Sequence, residues 1–135
     1  MTAVFLAVLL TGPVPCDIAR VLDGDTVQVV CRVWLGSNVT TLVRVRGIDT
    51  PEKKGKCPAE SALAIKASKF TTDALPPGTL VRLARVDNDK YGGRVVADVF
   101  YDSPLRRGVS LADELIAAGL AREYDGGTKS SWCGP

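Results

Sequence analysis

The sequence contains no histidine, and that absence excludes more than any motif could. It removes the Ser-His-Asp and Cys-His triads, the zinc sites that need imidazole, and every base that titrates unperturbed near neutrality. Any catalysis must rest on carboxylates, Arg and Lys, Tyr, Cys or a bound cation. Charge of one sign is also missing: 17 Lys and Arg face 15 Asp and Glu, a net +2. A general nucleic-acid-coating protein carries a large basic excess, so that class is excluded. No CxxC pair occurs, which argues further against a zinc site. Long apolar runs are lacking as well. The stretch Phe5 to Leu10 is too short to span a bilayer, and no membrane partner is expected.

What remains is one domain's worth of chain: 135 residues, 46% apolar and 24% charged, enough for a single core. Residues 1–15 read either as the apolar part of an export signal, without a preceding Lys or Arg and with a poor cleavage pattern, or as an N-terminal strand or tail. Residues 16–124 form the expected domain and 125–135, rich in Gly and Ser, an irregular tail. Four cysteines in so short a chain point weakly to an oxidising compartment, periplasmic or extracellular, with the cytoplasm as the alternative. Cys16 and Cys31 are equidistant from the Asp23-Gly24 midpoint, so a tight hairpin turning there would set them face to face unless a bulge shifted the register. Cys57 and Cys133 would then pair and tie the tail to a loop. Other pairings, or four free thiols, are the alternatives.

Short β-branched runs separated by turn residues dominate the chain. Ile18 to Leu22 and Thr26 to Leu35 flank Asp23-Gly24, a strong hairpin signal. Val39 to Ile48 follows, with Val39, Thr41, Val43 and Val45 on one face and Leu42, Arg44 and Arg46 on the other. Gly47 offers a bulge that swings Asp49 toward the arginine side. A helix is predicted over Pro58 to Ala74, with Ala59, Leu63, Ala67, Phe70 and Ala74 at helical spacing and Glu60 near its positive end. Strands at Thr79 to Val86 and Arg94 to Tyr101 come next, and Phe70 and Phe100 are read as core. A short helix runs from Ser110, whose Ser-x-x-Asp with Asp113 is a capping box, to Gly119. This order predicts a β-rich α+β protein. Its form is the OB-fold, a five-stranded barrel with a helix between strands 3 and 4 and a short C-terminal helix.

From Arg44 to Lys56 five bases meet two acids, a local +3. Three segments carry the chemistry: Asp23-Gly24-Asp25-Thr26, Arg44-Val45-Arg46-Gly47-Ile48-Asp49-Thr50-Pro51-Glu52, and Asp89-Lys90-Tyr91-Gly92-Gly93-Arg94. Taken singly, each reads as a turn or cap. Together, in this order on this strand pattern, they resemble the staphylococcal nuclease-like (thermonuclease) family over Ala19 to Tyr124, including Ala118-Gly119-Leu120-Ala121. The resemblance implies hydrolysis of DNA and/or RNA by a monomer using one Ca²⁺, leaving 5′-hydroxyl and 3′-phosphate ends. It implies Asp25 and Asp49 as metal carboxylates with the Thr50 carbonyl beside them. Glu52 would hold or deprotonate the attacking water, Arg44 and Arg94 would clamp the phosphate, and Lys90 and Tyr91 would touch the nucleotide. The family commonly has one glycine between the Tyr and Arg of the last motif. Here there are two, and Gly93 is expected to absorb the extra length while Arg94 stays aimed.

The residue types suit this chemistry on their own terms. A phosphodiester repels nucleophiles and gathers charge as it reacts, so the site must supply positive charge: a hard cation on oxygen ligands and two permanently charged guanidiniums. Without histidine, Glu52 is the evident proton acceptor and is expected to be partly shielded near both arginines. A surface ion pair of Arg44 with Glu52 or Asp49 is the bland alternative. Tyr124, like Tyr91, is placed to stack on a base. The competing functions are a non-catalytic OB-fold module that binds single-stranded nucleic acid and a disulfide-stapled interaction domain.

Overall fold

Val, Ile and Thr crowd the first third of the chain, and such side chains pack well on a pleated, half-buried surface. In the computed structural model, which describes residues 13–90 and 92–134, they build a meander of three antiparallel strands. These are β1 (Val14–Asp23), β2 (Thr26–Trp34) and β3 (Ser37–Val45). The apolar run at 5–10 and Tyr91 lie outside the described residues. A turn at Arg46-Gly47 leads to β4 (Ile48–Asp49), and then come α1 (Pro58–Ala74), β5 (Leu80–Asn88) and β6 (Arg94–Tyr101). The chain continues through β7 (Val109–Ser110), α2 (Leu111–Ala117) and β8 (Arg122–Glu123).

The main sheet runs β3-β2-β1-β5-β6, and β6 returns parallel to β3 to close a five-stranded barrel. With α1 between the third and fourth barrel strands, this is the OB-fold read from the sequence. Val27, Val29, Val43, Val45, Val81, Leu83 and Val99 fill the interior. Each such side chain contributes roughly 1.5–3 kcal/mol by leaving water. The Ser110 hydroxyl accepts from the Asp113 N–H, as the capping box requires.

Several local expectations shift. The β1–β2 turn is centred on Gly24-Asp25, because Asp23 pairs with Thr26. Register irregularities between Ile18 and Arg20 and between Val21 and Asp23 absorb the offset, so Cys16 still lies opposite Cys31 and the two form a disulfide. The second disulfide joins Cys57 and Cys133. On α1 the buried residues are Glu60, Ala64, Ala67 and Thr71, with Ala59 exposed. The stripe is rotated because the helix packs on the β1–β2 turn rather than on a purely apolar face. Tyr101, not Phe100, is the buried aromatic of β6, with Phe100 half-buried.

Candidate functional site

The site begins with Gly24. A Cβ there would stand 2.8 Å from that of Ala67, so only glycine lets α1 lie directly on the turn. The Thr71 hydroxyl donates to the Gly24 carbonyl at 2.8 Å and fixes the contact. Asp25 is therefore presented from a rigid corner. Its carbonyl accepts from the Val45 N–H at 2.8 Å, and Thr26 pairs with Arg44 across the ladder. Burial pushes the Asp25 carboxyl above its ordinary value and Asp23 adds to the push, against the pull of Arg44, Thr50 and Thr26.

Arg44 Nη2 lies 3.6 Å from Asp25 Oδ2 and donates to the Ile48 carbonyl at 3.1 Å. Its acidic partner is thus Asp25, and not Glu52 or Asp49 as in the bland reading. The same bond braces the turn that carries Asp49 into the cleft. Beyond Asp49, Glu60 holds the loop: its carboxylate accepts from the Glu52 and Lys56 backbone N–H groups at 3.0 and 3.1 Å. Those bonds hold the Glu60 carboxyl below its ordinary value. Glu52 is consequently fixed through its main chain while its side chain is exposed, which corrects the expectation of partial shielding. It reaches the cleft from the rim.

In the β5–β6 turn, Gly92 and Gly93 both adopt positive φ, 71° and 70°. The two glycines spend the extra residue on a left-handed curl that few other residues tolerate. Arg94 then enters β6 opposite Leu42 of β3, on the face that also carries Arg44. Arg94 Nε donates to the buried Asp89 carboxylate. Burial drives the Asp89 carboxyl up, but Arg94, the Lys90 N–H and Arg44 more than offset it, and its pKa lies below the ordinary value.

Composition marked residues past 124 as an irregular tail, yet two of its side chains, Lys129 and Trp132, belong to the site. Lys129 Nζ lies 3.2 Å from Asp49 Oδ1, and Trp132 Nε1 donates to Asp49 Oδ2 at 3.2 Å. Arg44 and Lys129 lie 5.9 and 5.4 Å from the Tyr124 ring. Lys129 and Trp132 escaped the sequence reading, and Asp89, though inside the third motif, was given no role in it. Only Cys133, next to Trp132, signalled that this segment returns to the loop before α1.

The result is two adjoining clefts. One, of about 330 Å³, is lined by Asp25, Asp49, Thr50, Glu52, Arg44, Arg94 and Lys129 among others. The other, of about 400 Å³, is lined by Lys90, Asp89 and Tyr124, and Arg44, Arg94 and Lys129 border both. Among the described residues no group of three or more His, Cys, Asp or Glu side chains is gathered as a metal cage. Among the four carboxylates and two threonines lining the first cleft, Asp25, Asp49 and Thr50 are the candidate cation donors. That hard, all-oxygen set fits a cation of the calcium type, which completes its shell with carbonyls and water. A half-buried carboxylate such as Asp25 also suits a counter-charge.

A family model, the staphylococcal nuclease homologue, matches residues 42–131. The chain belongs to that family. Its domain is accordingly a nuclease or nucleic-acid-binding one, with nucleic acid as the ligand the fold implies. Comparison with curated proteins returns no match.

Proposed function

We propose that the protein is a calcium-dependent nuclease that cleaves DNA and/or RNA with little sequence specificity, leaving 5′-hydroxyl and 3′-phosphate ends. The observation that supports it is the convergence of Asp25, Asp49, Thr50, Glu52, Arg44 and Arg94, from four separate segments, on one cleft. A cation held by Asp25, Asp49 and Thr50 would polarise a phosphoryl oxygen and help orient water.

The chain's own groups account for the rest. Arg44 spends Nη2 on Ile48 and Asp25, leaving Nε and Nη1 for a phosphate oxygen. Arg94, steadied by Asp89, faces the same space. Preorganised donors of this kind are worth roughly 3 kcal/mol each toward charge that develops in the transition state. Glu52 accepts the proton of the attacking water as its oxygen bonds to phosphorus, and the P–O5′ bond breaks as the 5′ oxygen takes a proton from solvent. Lys90 and the Tyr124 ring line the neighbouring cleft, where a nucleotide would lie. Both disulfides support an oxidising working compartment, and the protein acts as a monomer.

The occupation of both Asp49 oxygens by Lys129 and Trp132 favours a second reading, in which the clefts bind nucleic acid without cutting it. Incubation with plasmid and with single-stranded DNA, in Ca²⁺ or chelator, separates the two. The nuclease reading expects cleavage only with Ca²⁺, reduced about 10²–10³-fold in Arg44→Ala and comparably in Glu52→Gln. Binding without cleavage in every cation selects the second.

A further inference from the structure

Asp49 is the carboxylate of the cleft that the tail engages. Its side chain is 8% exposed and each oxygen has a partner from the tail, whereas the ammonium that meets it is 44% exposed. The tail is not draped there loosely. Cys133 is bonded to Cys57, the residue that caps α1, and the Arg122 guanidinium lies 3.8 Å from the Trp132 ring. Arg122 also donates to the Ser131 carbonyl at 2.7 Å, and the Tyr124 hydroxyl to the Gly127 carbonyl at 2.8 Å. These bonds hold the tail on both sides of Lys129, whose flexible four-carbon stem can swing.

The charge count of the cleft gives this arrangement a purpose. Asp23, Asp25, Asp49 and Glu52 are balanced by Arg44, Lys53, Arg94 and Lys129, so the cleft has no net charge with which to draw in a phosphate. A divalent ion at Asp25 and Asp49 would leave an excess of two positive charges and repel the Lys129 ammonium. Lys129 already borders the second cleft and has the Tyr124 ring 5.4 Å away as a cation–π contact on that route.

We propose that Lys129 is a built-in stand-in cation: it holds Asp49 until a divalent ion displaces it, and the displaced ammonium then binds a phosphate of the nucleic acid. Lys129 is thereby a substrate-binding residue whose capture of phosphate depends on cation arrival. The inference rests on the assignment of Asp49 as a metal carboxylate, and its test reads binding rather than turnover.

Ca²⁺ is titrated calorimetrically into the full disulfide-bonded chain and its Lys129→Met and Lys129→Arg variants. The same proteins are then titrated in Ca²⁺ with a phosphorothioate single-stranded DNA at several salt concentrations. A Trp34→Phe background leaves Trp132 as the sole indole, and its emission reports the tail on Asp49. If Lys129 occupies Asp49 most of the time, Lys129→Met binds Ca²⁺ about five- to tenfold more tightly, because the occupied fraction no longer reduces the apparent affinity. Lys129→Arg stays near the parent. In Ca²⁺ the Met variant binds the DNA more weakly, with a log–log salt slope shallower by about 0.7, the loss of one phosphate contact. Trp132 emission changes on adding Ca²⁺ to the parent. A lysine that only braced the tail would leave Ca²⁺ affinity unchanged or weakened when lost, so either result in Lys129→Met overturns the proposal. An unchanged salt slope overturns the hand-over to phosphate. Absence of Ca²⁺ binding in every folded variant overturns it together with the metal assignment beneath it.

Discussion

Glu60 and Asp89 act through their neighbours: each holds a candidate catalytic group in place. Glu60 accepts the Glu52 and Lys56 N–H groups, which lower its carboxyl below the ordinary 4.5. A carboxyl depressed on folding contributes stability that is complete above 4.5 and is lost as the pH falls through its lower folded value. Glu60→Gln is therefore expected to lower stability at neutral pH and to flatten the acid limb below 4.5, as followed by urea unfolding at descending pH. Asp89→Asn removes the charged partner of Arg94. The expected cost is about 1.5–3 kcal/mol, the usual worth of a hydrogen bond to a charged group, with a matching loss of phosphate affinity measured by DNA binding. Asp25, Arg44, Asp49 and Arg94 were singled out in the sequence by the order of three motifs on one strand pattern and the family resemblance this carries, since each motif alone reads as a turn or cap. Lys129 and Trp132 were not. Trp132 meets Asp49 across 83 residues, and a Gly-, Ser- and Lys-rich segment gives no local sign of what it will touch.

Helix α1 forms over the span predicted, Pro58–Ala74, because a proline start and a Pro-Pro-Gly stop punctuate it. Its burial stripe was harder to read, since two of its four buried residues, Glu60 and Thr71, are polar and are inside for the hydrogen bonds they make. Thr71→Val keeps the shape but removes the donor to Gly24. It should lower stability by about 1 kcal/mol in thermal unfolding and loosen the Asp25 turn. The tail, by contrast, owes its place to a covalent tie across 76 residues. By chain entropy such a closure is worth about 4 kcal/mol. Cys133→Ser is expected to lower the melting temperature and to change the emission of Trp132, measured in the Trp34→Phe background.

Across the whole molecule, strand order was legible because alternating β-branched runs and turn residues leave few ways to fold, and the OB arrangement accommodates three strands, a helix and two strands. Register was less so: the hairpin midpoint fell one position early, and bulges invisible to pattern reading restored the cysteine pairing. Since charge is balanced overall, attraction to nucleic acid must come from the Arg44, Arg94 and Lys90 side of the barrel. Three phosphate contacts there, with Lys129 as a fourth in Ca²⁺, predict a log–log salt slope of about −3 for single-stranded DNA. A much steeper slope would place other bases on the footprint. The exposed Val33, Trp34 and Leu35 sit at the end of β2 away from Asp25, so Trp34→Ser with Leu35→Ser should leave cleavage unchanged. The parallel seam between β3 and β6 has one further consequence. It is the last seal of the barrel, and Arg44 and Arg94 ride on its two lips. Any thermal gaping along that seam would part the two guanidiniums while the rest of the cylinder stayed intact, so on warming, cleavage should fade several degrees before circular dichroism reports a melt.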